Sequence, residues 1–424
     1  MTKQLLQCVE GTHDYFGAAG RRFAENLATA AKVFALYDYE RIVTPIFEPT
    51  ELFARGIGAT TDIVEKEMFT FQPGSEQVTL RPEGTAGVIR AYLQHHLHKD
   101  GLLRKLWYAG PMFRRERPQK GRQRQFYQIG CEAIGSSDPM LDAEIIALGL
   151  HYFSLLGITG VTTRLNSIGC PACRPRYREA LREAAAPLLP SLCENCQKRY
   201  DRNPLRLLDC KRDAAKTAAL PDAAAFLCAE CRDHFAVAQE FLGGLGVDFQ
   251  LDRTLVRGLD YYTKTVFEFT HPALGAQDAL GGGGRYDGLV GELGEVEMPA
   301  VGFAIGVERL MIAQEALKTC NCEPPLPVFG VALGENGKRA ICGLLARLRR
   351  AGVPAAMDCG ARSMKAQMRA ANRRGALLAL IAGDSELEKG VVVIKDLRGE
   401  NGEQIEVPLA EFEQTVREKI RVKS

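Results

Sequence analysis

A chain of 424 residues is longer than a single hydrophobic core, so two or three domains are expected. Hydrophobic residues make up 46% and charged residues 25%, ordinary for a globular protein, and no run approaches the ~20 apolar residues that a membrane span needs. The N-terminal residues Met1, Thr2, Lys3 and Gln4 lack the apolar core of a signal peptide, and a cytoplasmic protein is expected. The net charge of +2 hides an asymmetry: residues 326–424 carry 17 Lys and Arg against 12 Asp and Glu. Between Lys338 and Arg374 ten basic residues meet one acid, Asp358, which suits a polyanion partner as well as a solvated helix face.

Residues 17–37 read as a helix, because Phe23, Leu27, Ala30 and Phe34 recur on one face of a 3.6-residue period. Residues 39–48 form a β-branched strand interrupted by Pro45, whose missing N–H confines it to a sheet margin or a subunit contact. Residues 79–85 make a strand broken by Pro82 and Gly84 that leads into a helix near Ala86. Glu83 and Thr85 at that helix start suit capping, and equally suit binding an amine. A strand ending at Phe113 then enters residues 114–124, a loop with six Lys and Arg in eleven residues. So many cations, most of them planar arginine forks, point to phosphate. The return strand, 125–134, alternates with period two: Tyr127, Ile129, Cys131 and Ala133 face the core. Gln128 and Glu132 share the other face with Phe126 and Gly130, as a solvated surface or a pocket floor.

Residues 142–156 read as helix and 162–168 as strand. From Cys170 to about residue 246 the chain is rich in Cys, Ala and Arg and mostly helical, for example over 221–242, and is read as an insertion between two strand-rich halves. Of thirteen cysteines, seven fall here: the C-x-x-C pairs 170/173, 193/196 and 228/231, with Cys210 apart. In a reducing compartment such pairs are candidate thiolate ligands, and two of them close one tetrahedral structural zinc site. Three choices of two remain open, with buried thiols as the plainer alternative. No His or carboxylate is read at ligand spacing beside them, so a catalytic metal is not expected.

Residues 255–263, Leu-Val-Arg-Gly-Leu-Asp-Tyr-Tyr-Thr, gather a cation, a carboxylate and two phenols. Residues 281–284, four glycines followed by Arg285, Tyr286 and Asp287, read as a loop that approaches a ligand closely or as a flexible linker. After an apolar strand at 299–306, Arg309 sits in the first turn of a helix. A cation there opposes the helix dipole and makes sense facing an anion. Pro324, Pro325 and Pro327 mark a linker. Beyond it come strand 328–333, helix 338–351 ended by Gly352, a helix from Ser363 to Gly375, strands 376–381 and 391–394, and a final helix over 407–419. That alternation predicts an α/β domain of ~100 residues on a mostly parallel sheet.

Over nearly its whole length this pattern resembles class II aminoacyl-tRNA synthetases, and among them the histidyl-tRNA synthetase family. The Pro45 strand resembles motif 1, a dimer-interface element; residues 113–118 with the return strand resemble motif 2; residues 299–310 resemble motif 3. More specific are residues 255–263 and 282–287, which are similar to the two signature peptides of the histidine-specific family. The resemblance implies an α+β catalytic domain on an antiparallel sheet over 1–323, interrupted by the helical Cys-rich insertion at 170–246. A C-terminal α/β anticodon-binding domain would occupy 324–424. It further implies a homodimeric ligase that activates L-histidine with ATP and Mg2+ and transfers it to tRNA-His.

Residue by residue, the resemblance implies that Glu83, Thr85, Gln128 and Glu132 hold histidine, Glu83 at its ammonium, while Tyr261 and Tyr262 line the imidazole pocket. Arg114 would contact the α-phosphate and the histidine carboxylate, Glu116 the adenine edge and Arg309 the γ-phosphate side. Arg257 would stand in for a metal at the α-phosphate, so that Arg257 and Arg114 carry the chemistry. Gln119 and Arg122 would meet the tRNA acceptor end. The competing expectation is a non-charging, synthetase-like regulatory subunit of ATP phosphoribosyltransferase. The intact 257–262 peptide and the basic terminal domain argue against it. Asp260 is left without a role beyond pairing with a neighbouring cation.

Overall fold

The four glycines at 281–284 are not a loop. They form most of a strand, Ala279–Arg285, in the middle of an eight-stranded sheet. Close approach explains why: a Cβ on Gly283 would stand 1.9 Å from the Gly302 carbonyl oxygen of the adjoining strand. The computed structural model describes residues 5–58, 61, 63–275, 278–319, 326–360, 362–398 and 402–421. The chain divides into two compact units, Met1–Cys322 and Glu323–Ser424; the linker prolines 324 and 325 lie outside the described residues.

In the first unit the sheet runs Glu40–Arg41, Arg104–Phe113, Gln125–Ile134, Ala300–Gly306, Ala279–Arg285, Thr263–Thr270, Thr162–Ser167, Gln250–Leu251. The inner strands are antiparallel throughout, and only the two-residue edge strands pair in parallel. One face carries Ile129, Cys131, Phe267, Phe269, Phe303 and Ile305, as the period-two reading of 125–134 requires. Helices Gly17–Leu36, Pro139–Leu155 and Val307–Leu317 cover it with Phe34, Leu148 and Leu310. Residues 39–48 differ from expectation: Pro45 separates Glu40–Arg41 from Phe47–Pro49, which joins Val78–Leu80 and Phe69–Phe71 in a separate small sheet. Without an N–H, proline ends the ladder.

The insertion has its own core of Tyr177, Leu181, Leu192, Cys196, Leu207 and Leu220. Its last helix, Ala229–Gly244, starts later than 221 and belongs partly to the main body, since Leu242 packs into the large core. In the second unit the strands run Ala355–Met357, Val328–Ala332, Leu378–Ala382, Val391–Asp396, Gln404–Pro408. Two pairings are parallel and two antiparallel, so the sheet is mixed rather than mostly parallel. The link from Ala382 to Val391 is too short for the crossover of a dozen or more residues that a parallel return needs. Val407 lies in the last strand, and the final helix is Phe412–Arg421, beginning after Pro408. Among the described residues no helix is long and apolar enough to cross a membrane.

One ion pair ties these layers together. Arg285 and Asp142 are both fully buried, with Nη2 2.6 Å from Oδ2. The guanidinium also donates to the carbonyls of Ser136 and Asp138 and to Asp287, and His234 stands 3.5 Å from the Asp142 carboxylate. Burial pushes the Asp142 carboxyl up, yet His234 and Arg285 outweigh it and hold it below the usual aspartate range. Removing one partner of such a pair strands a buried charge. Arg285→Met should therefore lower the unfolding free energy of the first unit by about 3–5 kcal/mol in urea titration; a loss below about 1 kcal/mol would mean the pair is dispensable.

Candidate active site

Across the uncovered face of the sheet the register aligns small residues. Gly130, Ala304, Gly282 and Glu268 lie in one row, and Glu132, Gly302 and Gly284 in the next. The result is a hollow in a surface that side chains would otherwise fill, and over it opens a cleft of about 980 Å³. Glu83, Thr85, Arg114, Glu116, Arg122, Gln128, Arg257, Tyr261, Tyr262 and Arg309 all line it. Residues far apart in the chain thus meet.

Beneath the floor, and outside the cleft lining itself, the buried Glu132 carboxylate accepts from Thr85 Oγ1 at 2.7 Å and from the Tyr286 hydroxyl, two residues that do line the cleft. A Cβ on Gly302 would fall 1.8 Å from Glu132 Oε2, so only glycine leaves that carboxylate its place. Burial raises the Glu132 pKa to about 8, although the Tyr286 and Thr85 hydroxyls pull it down. Glu83 accepts from the backbone N–H of Thr85 at 2.6 Å and of Ala86 at 2.9 Å, capping helix Thr85–Gln94. Capping does not remove it from the site, since it is both helix cap and cleft wall. Burial nevertheless leaves its pKa raised. Gln128 Oε1 is buried without a protein partner among the described residues.

Tyr261 and Tyr262 stand with ring centroids 4.7 Å apart, and Tyr286 meets Tyr261 edge-on at 5.6 Å. Burial pushes all three phenols above the ordinary tyrosine range, keeping them neutral donors. Arg257 donates to Glu268 Oε1 at 2.8 Å and lies 5.9 Å from the Tyr262 ring centroid. A Cβ on Gly282 would come within 2.8 Å of its Nη1, so the glycine strand makes room for this guanidinium. Opposite, Arg114 donates to the Pro82 carbonyl at 2.9 Å and stacks over Phe126. Arg309 donates to the carbonyls of Gly121 and Ala279. Burial first, and then the neighbouring Arg122, push the Arg309 guanidinium down, while Glu268 and Glu116 oppose them. Glu116 is paired with Arg122 at 3.0 Å. Gln119 pairs back to Arg122 across the loop and is exposed, outside the cleft lining. Three arginines converging over a neutral, tyrosine-lined hollow can hold a polyphosphate against a small polar molecule.

Residues 11–310 match the family model of histidyl-tRNA synthetase, and residues 328–419 match that of an anticodon-binding domain. The chain belongs to the histidyl-tRNA synthetase family. It is 47% identical over 410 residues to the histidine–tRNA ligase of Halothermothrix orenii, covering 96% of this chain and 97% of that one. To the ligase of Moorella thermoacetica it is 51% identical over 389 residues, 90% and 91% of the two chains. Among solved structures, apo histidyl-tRNA synthetase of S. aureus superposes with a TM-score of 0.82 at 34% identity, over 97% of this chain and all of that one.

Some features of the site are set by the fold and do not show in the sequence pattern. Tyr286, expected in a glycine loop, directly follows the strand Ala279–Arg285, and the end of that strand aims its hydroxyl at Glu132. Asp260 is tied to the insertion: its Oδ1 accepts from Asn203 Nδ2 at 2.8 Å. The cysteines also combine differently. The 170/173 and 228/231 pairs form one cluster, whereas 193/196 joins the supposedly solitary Cys210 and the carboxylate of Asp213. The spacing of Cys210 and Asp213 repeats C-x-x-C with Asp in the last place, a signal hidden by looking for sulfur alone.

The raised Glu132 pKa has a sign. Folded protein keeps this proton up to about pH 8, while the unfolded chain releases it in the ordinary glutamate range, so stability falls as pH rises between those values. Glu132→Gln, which cannot ionise, should grow steadily more stable relative to wild type from about pH 5 to about pH 8 and then level off. Urea midpoints at matched pH measure the difference; a constant offset would show that Glu132 titrates normally.

Proposed function

We propose that the chain is a histidine–tRNA ligase that activates L-histidine with ATP and transfers it to tRNA-His. The observation that carries this reading is the buried Glu132, Thr85 and Tyr286 network under Tyr261 and Tyr262, in a cleft walled by Arg114, Arg257 and Arg309. An imidazole both donates and accepts, and a floor of neutral phenols with a carboxyl and Gln128 can satisfy both nitrogens. An apolar rival would leave those buried groups unpaired, which discriminates strongly without editing. Glu83 takes the ammonium, and Arg114 the carboxylate.

ATP enters as its magnesium complex. The histidine carboxylate oxygen attacks the α-phosphorus, the bond to the β-phosphate oxygen breaks, and histidyl-adenylate and pyrophosphate form. The amino acid is its own nucleophile, so the protein supplies alignment and positive charge where phosphorus gathers negative charge. Arg257 serves the α-phosphate, Arg309 the γ-phosphate side and Glu116 the adenine edge. A ribose hydroxyl at the tRNA end then attacks the adenylate carbonyl and releases AMP. Arg122 and the exposed Gln119 lie on the loop that meets the acceptor end. A homodimer in the cytoplasm completes the reading, with the exposed Val43, Ile46 and Phe47 beside Pro45 as its contact. Structural zinc held by the thiols of the insertion belongs to it as well.

Purified protein should exchange pyrophosphate into ATP only when histidine is present. No exchange, together with binding to a phosphoribosyltransferase subunit, would replace the ligase reading with the regulatory one. Arg257→Ala should lower exchange by roughly 10²–10³ while calorimetric histidine binding stays nearly intact; equal loss of both would remove Arg257 from the phosphate. In the terminal domain Lys365, Arg369 and Arg373 recur every four residues as an exposed stripe on helix Met364–Arg373. Replacing all three by Ala should raise the KM for tRNA-His by about tenfold or more, as loss of phosphate contacts does; an unchanged KM would assign the stripe to solvent alone.

A further inference from the structure

We propose that the insertion binds two zinc ions, one on Cys170, Cys173, Cys228 and Cys231 and one on Cys193, Cys196, Cys210 and Asp213, and that they brace the 257–264 peptide from two sides. In each group the four donor atoms lie within 4.8 Å of one another. Cys170 and Cys173 Sγ are 3.6 Å apart, and Cys193 and Cys210 Sγ 3.8 Å. A disulfide requires about 2.05 Å. Zinc–sulfur bonds of about 2.3 Å in a tetrahedron put ligand atoms about 3.8 Å apart, which matches. All seven of these cysteines are unbridged.

The local fold prepares these donors. Cys173, Cys193 and Cys228 are each the N-cap of a helix, and Cys196 and Cys231 lie in the first turns of the helices that Cys193 and Cys228 begin. The Cys228 N–H points at Cys173 Sγ from 3.2 Å, and the Cys193 N–H at Asp213 Oδ2 from 2.9 Å. Lys216 approaches the other Asp213 oxygen at 3.6 Å, which leaves Oδ2 among the thiols. Between its helices this subdomain relies on short 3-10 turns and a small core, the setting in which a metal substitutes for missing apolar burial.

Both clusters reach the signature peptide within a residue or one helix. Arg174, next to Cys173, donates to the Asp260 carbonyl at 3.2 Å. Glu230, between Cys228 and Cys231, accepts from Lys264 at 2.9 Å. Asn203, which holds the Asp260 carboxylate, ends the helix that Cys193 begins. Cys210 itself lines the cleft, beside Lys211 and Arg212. Arg257, Tyr261 and Tyr262 therefore hang from a peptide held at Asp260 and Lys264 by residues adjoining the metal ligands.

The test begins with the wild-type chain, purified without added metal. Elemental analysis should give two zinc per chain, released in full when a mercurial titrates the thiols. The Cys173→Ser/Cys231→Ser and Cys196→Ser/Asp213→Ala variants should each keep one. Cobalt exchanged into wild type should show two tetrahedral d–d envelopes, the one from the Cys3Asp site at shorter wavelength, so the assignment survives even if a variant fails to fold. Fewer than two zinc per chain, or iron in their place, overturns the two-zinc site. The bracing role rests on the ligase reading and is read separately: releasing zinc should lower histidine-dependent exchange at least tenfold, restored when zinc is returned. Two zinc per chain with exchange indifferent to their removal overturns the brace, whereas absent exchange in the zinc-replete protein overturns the ligase reading instead.

Discussion

A buried charge is tolerated only where its surroundings complete it, and Arg285 is the case on which this fold turns. Its guanidinium lies at zero exposure between the sheet and the helix Pro139–Leu155, with Asp142, Asp287 and two carbonyls around it. Those contacts fix the end of the Ala279–Arg285 strand and so the direction in which the next residue leaves it. That residue is Tyr286, whose hydroxyl secures the Glu132 carboxylate. Stability and site geometry are thus one chain of contacts: an ion pair holds a strand, the strand aims a phenol, and the phenol holds a buried acid.

The hollow above that acid is made by what is missing. Gly282, Gly302 and Ala304 come from two adjoining strands, antiparallel register puts them side by side, and all three line the cleft, whereas the Tyr108 ring fills the space over Gly130. Glycine in a strand interior costs stability through entropy and lost packing. Here the sheet gives up packing on one face and keeps a dense aromatic core of Phe267, Phe269 and Phe303 on the other. The vacated face admits the Arg257 guanidinium over Gly282 and the Glu132 carboxylate under Gly302. Crowded cations above and a carboxyl of raised pKa below give the cleft its chemical polarity.

Local pattern carried much of this. Periodicity located the first helix, the 125–134 strand and its two faces, and the Ser363 cap, because each depends on neighbours in sequence. It failed where a distant partner decides. Four glycines look like a loop until a sheet on both sides supplies their hydrogen bonds. Val407 reads locally as helix, because its pairing with Val392 cannot be seen in the residues around it. Asp213 does not stand out in the sequence, because a carboxylate becomes a candidate ligand only when three thiols arrive beside it.

The order of residues along the chain settles which chemical groups are available and which family they resemble. The arginines of the 114–124 loop, the paired tyrosines and the acids at 83 and 132 carry their chemistry wherever the chain takes them. Tertiary structure alone decided their conjunction. It set Thr85 and Tyr286 on Glu132, placed Asn203 on Asp260 and divided the cysteines into two groups rather than three pairs. The reason is physical: hydrogen bonds, burial and ligand geometry depend on separations of a few ångströms, and those separations are set by strand register and core packing between residues that for the three hydrogen bonds lie 47, 57 and 154 positions apart.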